Sequence, residues 1–244
     1  MKEYAFKPID LEGEDTLKTI ALANHFNRWM FDSIKPFCKG NILEIGSGLG
    51  NISEFFLDNH ANILLTDLRD SYCEALHTKF KNNQALLGID TMNLVDPEFD
   101  RKFNKYFNGF DTVFALNVVE HIFDDKSAVS NCYKLLKPDG HLIILVPAYQ
   151  WLFNNFDKEL EHYRRYTRKR LESLFLSCDF KIYHNQYFNA AGITGWFISG
   201  NLQHHKIIPT GQIRLFDRWV ILFKLFDKLI FNSFGLSVIT VGKK

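Results

Sequence analysis

At 244 residues the chain has room for one domain, or one domain with a cap, and with 46% hydrophobic residues it can bury a full core. A formal net charge of +1 leaves no global field that would draw in nucleic acid or an acidic membrane. The four cysteines, Cys38, Cys73, Cys132 and Cys178, are widely spaced and form no Cys-x-x-Cys pair, which argues against a disulfide frame or structural zinc and for free thiols in a reducing, cytoplasmic setting. The opening Met1-Lys-Glu-Tyr has no apolar run of the kind a signal peptide needs, and no stretch of about 18 apolar residues offers a transmembrane helix.

Residues 1–15 are polar and are expected to be irregular. From 16 to 37, Leu17, Ile20, Leu22, Phe26, Trp29, Met30 and Ile34 recur at helical spacing, and Pro36 and Gly40 close the segment. Asn41-Ile-Leu-Glu-Ile-Gly-Ser-Gly-Leu-Gly50 reads as a short buried strand, a glycine turn and a helix start. Gly46, Gly48 and Gly50 let the backbone approach a ligand, and the helix that follows, over 51–60, aims free N–H groups at it. A second apolar run, Ile63-Leu-Leu-Thr-Asp67, ends in an acid about 20 residues past the turn, the arrangement by which α/β folds hold a ribose diol. A nucleoside-containing cofactor is therefore expected. It is not a dinucleotide: the third glycine of G-x-G-x-x-G, counted from Gly46, falls on Asn51.

The helix–strand alternation continues. A helix is expected over 71–80 with Ser71 as its N-cap, then strands at Ala85–Asp90, Phe110–Asn117 and His141–Val146. Asp124 and Asp125 can cap a helix through Val129, Cys132, Leu135 and Leu136, and Thr167 one carrying Leu171, Leu174, Phe175 and Cys178. The last strands are expected at 180–187 and 236–241. Such alternation predicts a doubly wound, mostly parallel α/β sheet of seven strands, with Gly46, Asp67, Asp90 and Asn117 along one edge.

Together, Glu44-x-Gly46-x-Gly48-x-Gly50, Asp67, Asp90, the strand around Asp111, the run Asn117-Val-Val-Glu-His-Ile122 and the turn Leu136-Lys-Pro-Asp-Gly140 resemble the class I S-adenosylmethionine-dependent methyltransferases, over roughly residues 40–185. The resemblance implies a Rossmann-like methyltransferase fold with an N-terminal lid helix (1–40), a cofactor-binding core (41–187), a cap inserted before the last strand (188–235) and a final strand (236–244). It implies S-adenosylmethionine as cofactor. Glu44 and the turn residues Gly46, Ser47, Gly48 and Gly50 would face the amino acid end of that molecule, Asp67 and Leu68 its ribose, Asp90 and the amides of Thr91 and Met92 its adenine, and Asn117 the region of the methyl.

Methyl transfer from a sulfonium is an in-line displacement, and a base is needed only where the acceptor must lose a proton early. His121, just past the fourth strand, and His162, in Glu161-His-Tyr-Arg-Arg-Tyr-Thr167, are the candidate catalytic bases. Asn117-x-x-Glu120-His121 is also similar to the Glu-x-x-Glu-His motif of metal-dependent methyltransferases, with His162 in a place to add a ligand. Asn117 replaces a hard anionic ligand there, so no metal is expected. The basic run Arg164-Arg165-x-x-Arg168-Lys-Arg170 suits RNA or an anionic group on a small acceptor. Aromatic residues after Pro147 and through 188–235 favour a small, partly hydrophobic acceptor methylated on oxygen. The alternatives are an RNA methyltransferase and a catalytically silent cofactor-binding regulator. In the 213–231 helix the acids Asp217 and Asp227 sit beside Arg214, Arg218, Lys224 and Lys228, a mixed stripe that argues for a lid over the site more than for peripheral contact with a membrane.

Overall fold

The computed structural model describes residues 11–203 and 209–244. In chain order the elements are helix α1 (Leu11–Ala21), α2 (Asn24–Ile34), strand β1 (Ile42–Ile45), α3 (Ser53–Asp58), β2 (Ile63–Asp67), α4 (Asp70–Phe80), β3 (Leu86–Thr91), α5 (Phe99–Phe103), β4 (Phe110–Leu116), α6 (Asp125–Leu135) and β5 (Leu136–Pro147). There follow α7 (Asn155–Glu159), α8 (Arg168–Leu176), β6 (Lys181–Phe188), α9 (Gly192–Phe197), α10 (Thr210–Leu229) and β7 (Ser237–Lys243).

The seven strands form one sheet in the order β3-β2-β1-β4-β5-β7-β6, parallel except at β7, which runs antiparallel to both neighbours. Every residue of β1 and β2 is buried, as expected of central parallel strands covered by helices on both faces. Side-chain alternation splits the core into two layers. Leu43, Ile45, Val113 and Ala115 pack toward α5, α6 and α8, while Ile42, Ile63, Leu65 and Phe114 pack toward α2, α3 and α4. Phe114 is wholly buried against Phe56, so truncating it to alanine would cost about 3–5 kcal/mol. The strand order reverses between β1 and β4, and the crevice outside the carboxyl ends of those two strands is where a doubly wound sheet takes its ligand.

Several boundaries differ from the sequence expectation. Residues 11–15, expected to be irregular, belong to α1, while 1–10 lie outside the described residues. The expected 16–37 helix is two helices broken at Leu22 and Ala23. Ser71 caps nothing: α4 starts one residue earlier, at Asp70, with no side-chain cap. Asp124 and Thr167 do cap α6 and α8, each accepting a backbone N–H three residues on.

The segment before β7 is fastened by its acids. Asp217 accepts the Phe26 N–H (2.8 Å) and bonds His25 Nδ1 (2.9 Å), so α10 caps the start of α2 across the fold. Buried Asp227 accepts the N–H groups of Asn189 (2.6 Å) and Ala190 (2.9 Å) where β6 ends. The single mixed stripe expected for this helix is therefore corrected: both acids face inward. Among the described residues no helix is long and apolar enough to cross a membrane.

Candidate active site

A cavity of about 1560 Å³ opens at the switch point. Its floor is the strand ends, and its walls come from α1, α2, the 117–124 loop, the 156–165 loop and the segment before β7.

One end is made by the glycine turn. Gly46 has φ +71°, and a Cβ there would lie 2.5 Å from Val118 Cγ2, so only glycine fits between β1 and the loop after β4. Gly48 turns its N–H onto Asp67 Oδ2 (2.9 Å), and Asp67 Oδ1 accepts the Arg69 N–H (3.0 Å). One carboxylate thus ties the end of β2 to the turn. Burial raises the Asp67 pKa, against the pull of those two amides. Glu44 is buried on β1 and accepts the Ser53 hydroxyl. Burial pushes its pKa up to about 7, which leaves it poised to ionise beside a cation. Ser47, Leu68 and Asn117 also line the cavity, and Asn117 holds a left-handed φ of 55° while its N–H bonds Leu145 O (2.8 Å). The acid pair and the glycine cradle fit a ligand with an ammonium group and a ribose diol.

Three expected cofactor contacts are placed elsewhere. Gly50 faces the core, where a Cβ would meet Phe80 and Leu76. Asp90 turns its Oδ2 to Tyr106 (2.7 Å) and Lys105 (3.1 Å), on the outer side of the sheet edge, and lysine and tyrosine together hold it below the usual carboxylate range although burial works the other way. Thr91 donates to Asp70 (2.6 Å). Neither Asp90 nor Thr91 lines the cavity; Met92, Asn93 and Leu94, just beyond the strand, do. The reason is the strand's alternation and its end: after Thr91 the chain turns along the sheet edge, and Met92 N–H bonds Asp67 O (2.9 Å).

The other end joins segments far apart in sequence. The Tyr163 N–H donates to Glu120 O (2.9 Å), docking the 154–165 loop on the turn after β4. That contact brings His121 and His162 edge to face, ring centres 4.5 Å apart. His162 Nδ1 lies 2.8 Å from Asp157 Oδ1, which also accepts Arg165 Nε (2.8 Å). Asp157 closes a capping box with Asn154 at the start of α7, so its position is fixed by backbone as well as by charge. Burial opposes the Asp157 charge, but His162 and Arg165 outweigh it and hold the acid ionised. Burial lowers the His162 pKa in spite of Asp157; the enclosing walls and neighbouring His162 also push the His121 pKa down, although that ring is exposed to the cavity, so both rings are neutral at neutral pH. Glu120 is completely buried with neither carboxylate oxygen bonded, and burial pushes it to about 8.

Asp157 was not singled out from sequence, and Arg165 only as one cation of the basic run and not as a partner of Asp157. The only signal was that both lie near His162 in the chain, in a segment where Glu159 ends α7 and Arg168 starts α8 and no regular element brings them together. The basic run is also divided: Arg164 pairs with Asp125 (2.7 Å), Arg165 is buried over the Trp196 ring (4.5 Å), and Arg168 and Arg170 lie over Tyr187 and Tyr166. It presents no continuous cationic strip. Asn117, Glu161 and Asn189, all cavity residues, hold left-handed backbone without being glycine, as do turn residues away from the cavity such as His60, Asp139 and Asp179.

The family described as a methyltransferase domain matches residues 43–142. Polyketide synthase 40 of Dictyostelium discoideum is 28% identical over 138 residues, which cover 49% of this chain and 5% of that protein. A ubiquinone biosynthesis O-methyltransferase of Rhodopseudomonas palustris is 29% identical over 110 residues, 45% of this chain and 41% of that one. The chain thus spans only a small part of the synthase and under half of the O-methyltransferase. A crystallised S-adenosylmethionine-dependent methyltransferase from Archaeoglobus fulgidus superposes with a TM-score of 0.59 at 16% identity, covering 89% of this chain and 94% of that one. That likeness is one of fold.

Proposed function

We propose that this chain, which belongs to the class I S-adenosylmethionine-dependent methyltransferase family, methylates an oxygen of a small, partly hydrophobic acceptor, with His162 as the base that takes the acceptor's proton. The observation that carries the reading is the Asp157–His162 pair. With Nδ1 held by a buried, ionised acid, the imidazole keeps its other nitrogen as a lone-pair acceptor toward the cavity. S-adenosylmethionine supplies the electrophilic methyl. The protein holds that cofactor through Glu44, the glycine turn and Asp67, and encloses the acceptor between the 117–124 loop and Phe156, Trp196, Phe216 and Trp219. Exclusion of water and alignment behind the methyl supply much of the rate. Neutral His121 stands beside His162 and keeps a second positive charge from the site.

The test is release of S-adenosylhomocysteine with a panel of phenols, enols and alcohols, against matched amines and thiols. Methylation of amines alone, insensitive to replacement of His162, would overturn the oxygen assignment while leaving the family intact.

One observation favours a second reading. Glu120, His121 and His162 bring ligand atoms within 4.8 Å of one another, and the Glu120 oxygens have no partner. One carboxylate and two imidazoles suit a divalent transition ion, and their residues would hold it as a Lewis acid for the acceptor oxygen. Asn117 withholds a further anionic ligand, which keeps this reading second. Turnover that EDTA abolishes and manganese restores would put it first.

A further inference from the structure

Helix α10 divides by charge as well as by hydropathy. Its acids are both turned inward, Asp217 against α2 and Asp227 beneath Asn189. Lys224, at the inner edge, pairs with Asp32 (2.8 Å). Every exposed residue between 212 and 229 is either apolar or cationic. Leu222, Leu225 and Leu229 run along the crest, and Arg214, Arg218 and Lys228 stand among them. Past the helix end Phe231 is 88% exposed and prolongs the apolar stripe. A contiguous face of this kind over a 20-residue helix, about 30 Å long, is not the scatter of single apolar residues that any surface carries.

We propose that this outward face docks α10 on the surface of an anionic lipid bilayer. The helix does not meet the requirements for crossing a membrane, so it lies in the interface, with leucines sunk among the headgroups and cations at their level. Charge complementarity selects this occupant. A second copy of the face would set arginine and lysine against arginine and lysine with no acid on either side to receive them. An anionic bilayer receives all three, and each is worth about fivefold in binding. The chain's net charge of +1 means that the attraction is local to this face. Leu215 and Trp219, exposed on the same helix, also line the cavity, so docking brings the cavity mouth to the lipid. That last point rests on the acceptor reading above; the docking itself does not.

Flotation of the full chain with vesicles, in the absence of cofactor and acceptor, tests docking separately from methyl transfer. Binding to phosphatidylcholine mixed with phosphatidylglycerol should exceed binding to phosphatidylcholine alone by at least about tenfold and weaken as salt rises. Leu222→Gln, Leu225→Gln and Leu229→Gln combined should abolish it. Arg214→Gln, Arg218→Gln and Lys228→Gln combined should remove the preference for the anionic lipid. None of these six residues lines the cavity, so both variants should keep a cooperative melt and wild-type cofactor affinity by calorimetry. Equal binding to neutral and anionic vesicles would overturn the proposal, as would binding that survives the leucine variant. So would a dimer in sedimentation velocity that the leucine variant dissolves while no vesicle is bound; that result assigns the face to a second copy.

Discussion

The two ends of the cavity are made of different material. The cofactor end is built from backbone: a glycine turn between β1 and α3, closed by one carboxylate at the end of the adjacent strand. Its turn and its two acids lie within residues 44–67, and the parallel pairing of β1 with β2 fixes them. The end proposed to hold the acceptor is built from side chains carried by the loop after β4, the 154–165 loop and the cap, which meet through long-range hydrogen bonds and ring contacts. An end made of backbone is sensitive to volume and to loss of a tie. An end made of side chains is sensitive to chemistry, and its residues can be exchanged with the cofactor end intact.

The sharpest test of that division is His162→Gln. Loss of a positioned base lowers turnover by roughly 10²–10⁴-fold. Cofactor affinity by calorimetry should stay within about threefold of wild type, because His162 makes no tie to the glycine turn. Equal losses in turnover and in cofactor affinity would show that the two ends are one cooperative unit.

Asp67→Ala is the reciprocal experiment. It removes the acceptor of the Gly48 and Arg69 N–H groups, and with it the proposed ribose contact. Cofactor affinity should fall by about 1.5–3 kcal/mol, roughly 10–150-fold, the scale of hydrogen bonds to a charged group. Turnover at saturating cofactor should change far less. Unchanged affinity by calorimetry would remove Asp67 from the cofactor site.

This difference in material also decides what was legible in the sequence. The sheet, its seven strands and the glycine turn follow from local pattern: apolar runs, Gly46 and Gly48, an acid after β2. Asp124 and Thr167 were legible as caps because a cap acts within one turn of its own helix. Ser71 was misread because α4 already begins at Asp70, with no side-chain cap, so the serine falls inside the first turn. Asp157 and Arg165 were invisible in their role, since an irregular turn, in which the His162 N–H bonds Asp157 O, folds them onto His162 and no periodic pattern marks such a turn. The inward turn of Asp217 and Asp227 was hidden because their partners, Phe26 and Asn189, lie 191 and 38 residues away.

Glu44 gives a smaller, pH-dependent effect. In the unbound protein its pKa stands near 7, raised by burial, so it contributes stability at acid pH that is lost as pH rises through about 7. A cofactor ammonium reverses the preference by favouring the carboxylate. Affinity should therefore weaken as pH falls below about 7, by up to about tenfold per unit, with proton uptake on release. Titrations between about pH 5.5 and 7.5, below the range where the ammonium itself titrates (~8), isolate the carboxylate. Calorimetry in buffers of different ionisation enthalpy counts the proton directly. A flat profile in the wild type, or a sloping one in Glu44→Gln, would assign the proton to another group.

The smallest expected effect is at Asp90, and it is informative for that reason. Family resemblance gives this acid the adenine, whereas its carboxylate bonds Tyr106 and Lys105 and stands outside the cavity. Asp90→Asn keeps the hydrogen-bond acceptor for Tyr106 and removes only the charge facing exposed Lys105, an ion pair worth at most about 1 kcal/mol to stability. Cofactor affinity should stay within about twofold. Replacing Met92 by glycine should have the larger effect on affinity, because its side chain lines the cavity beside Asn93 and Leu94. If Asp90→Asn instead weakened binding tenfold while Met92→Gly did not, the edge of β3 would have to rearrange when the cofactor enters. The cofactor end would then share the adaptability assigned here to the acceptor end alone.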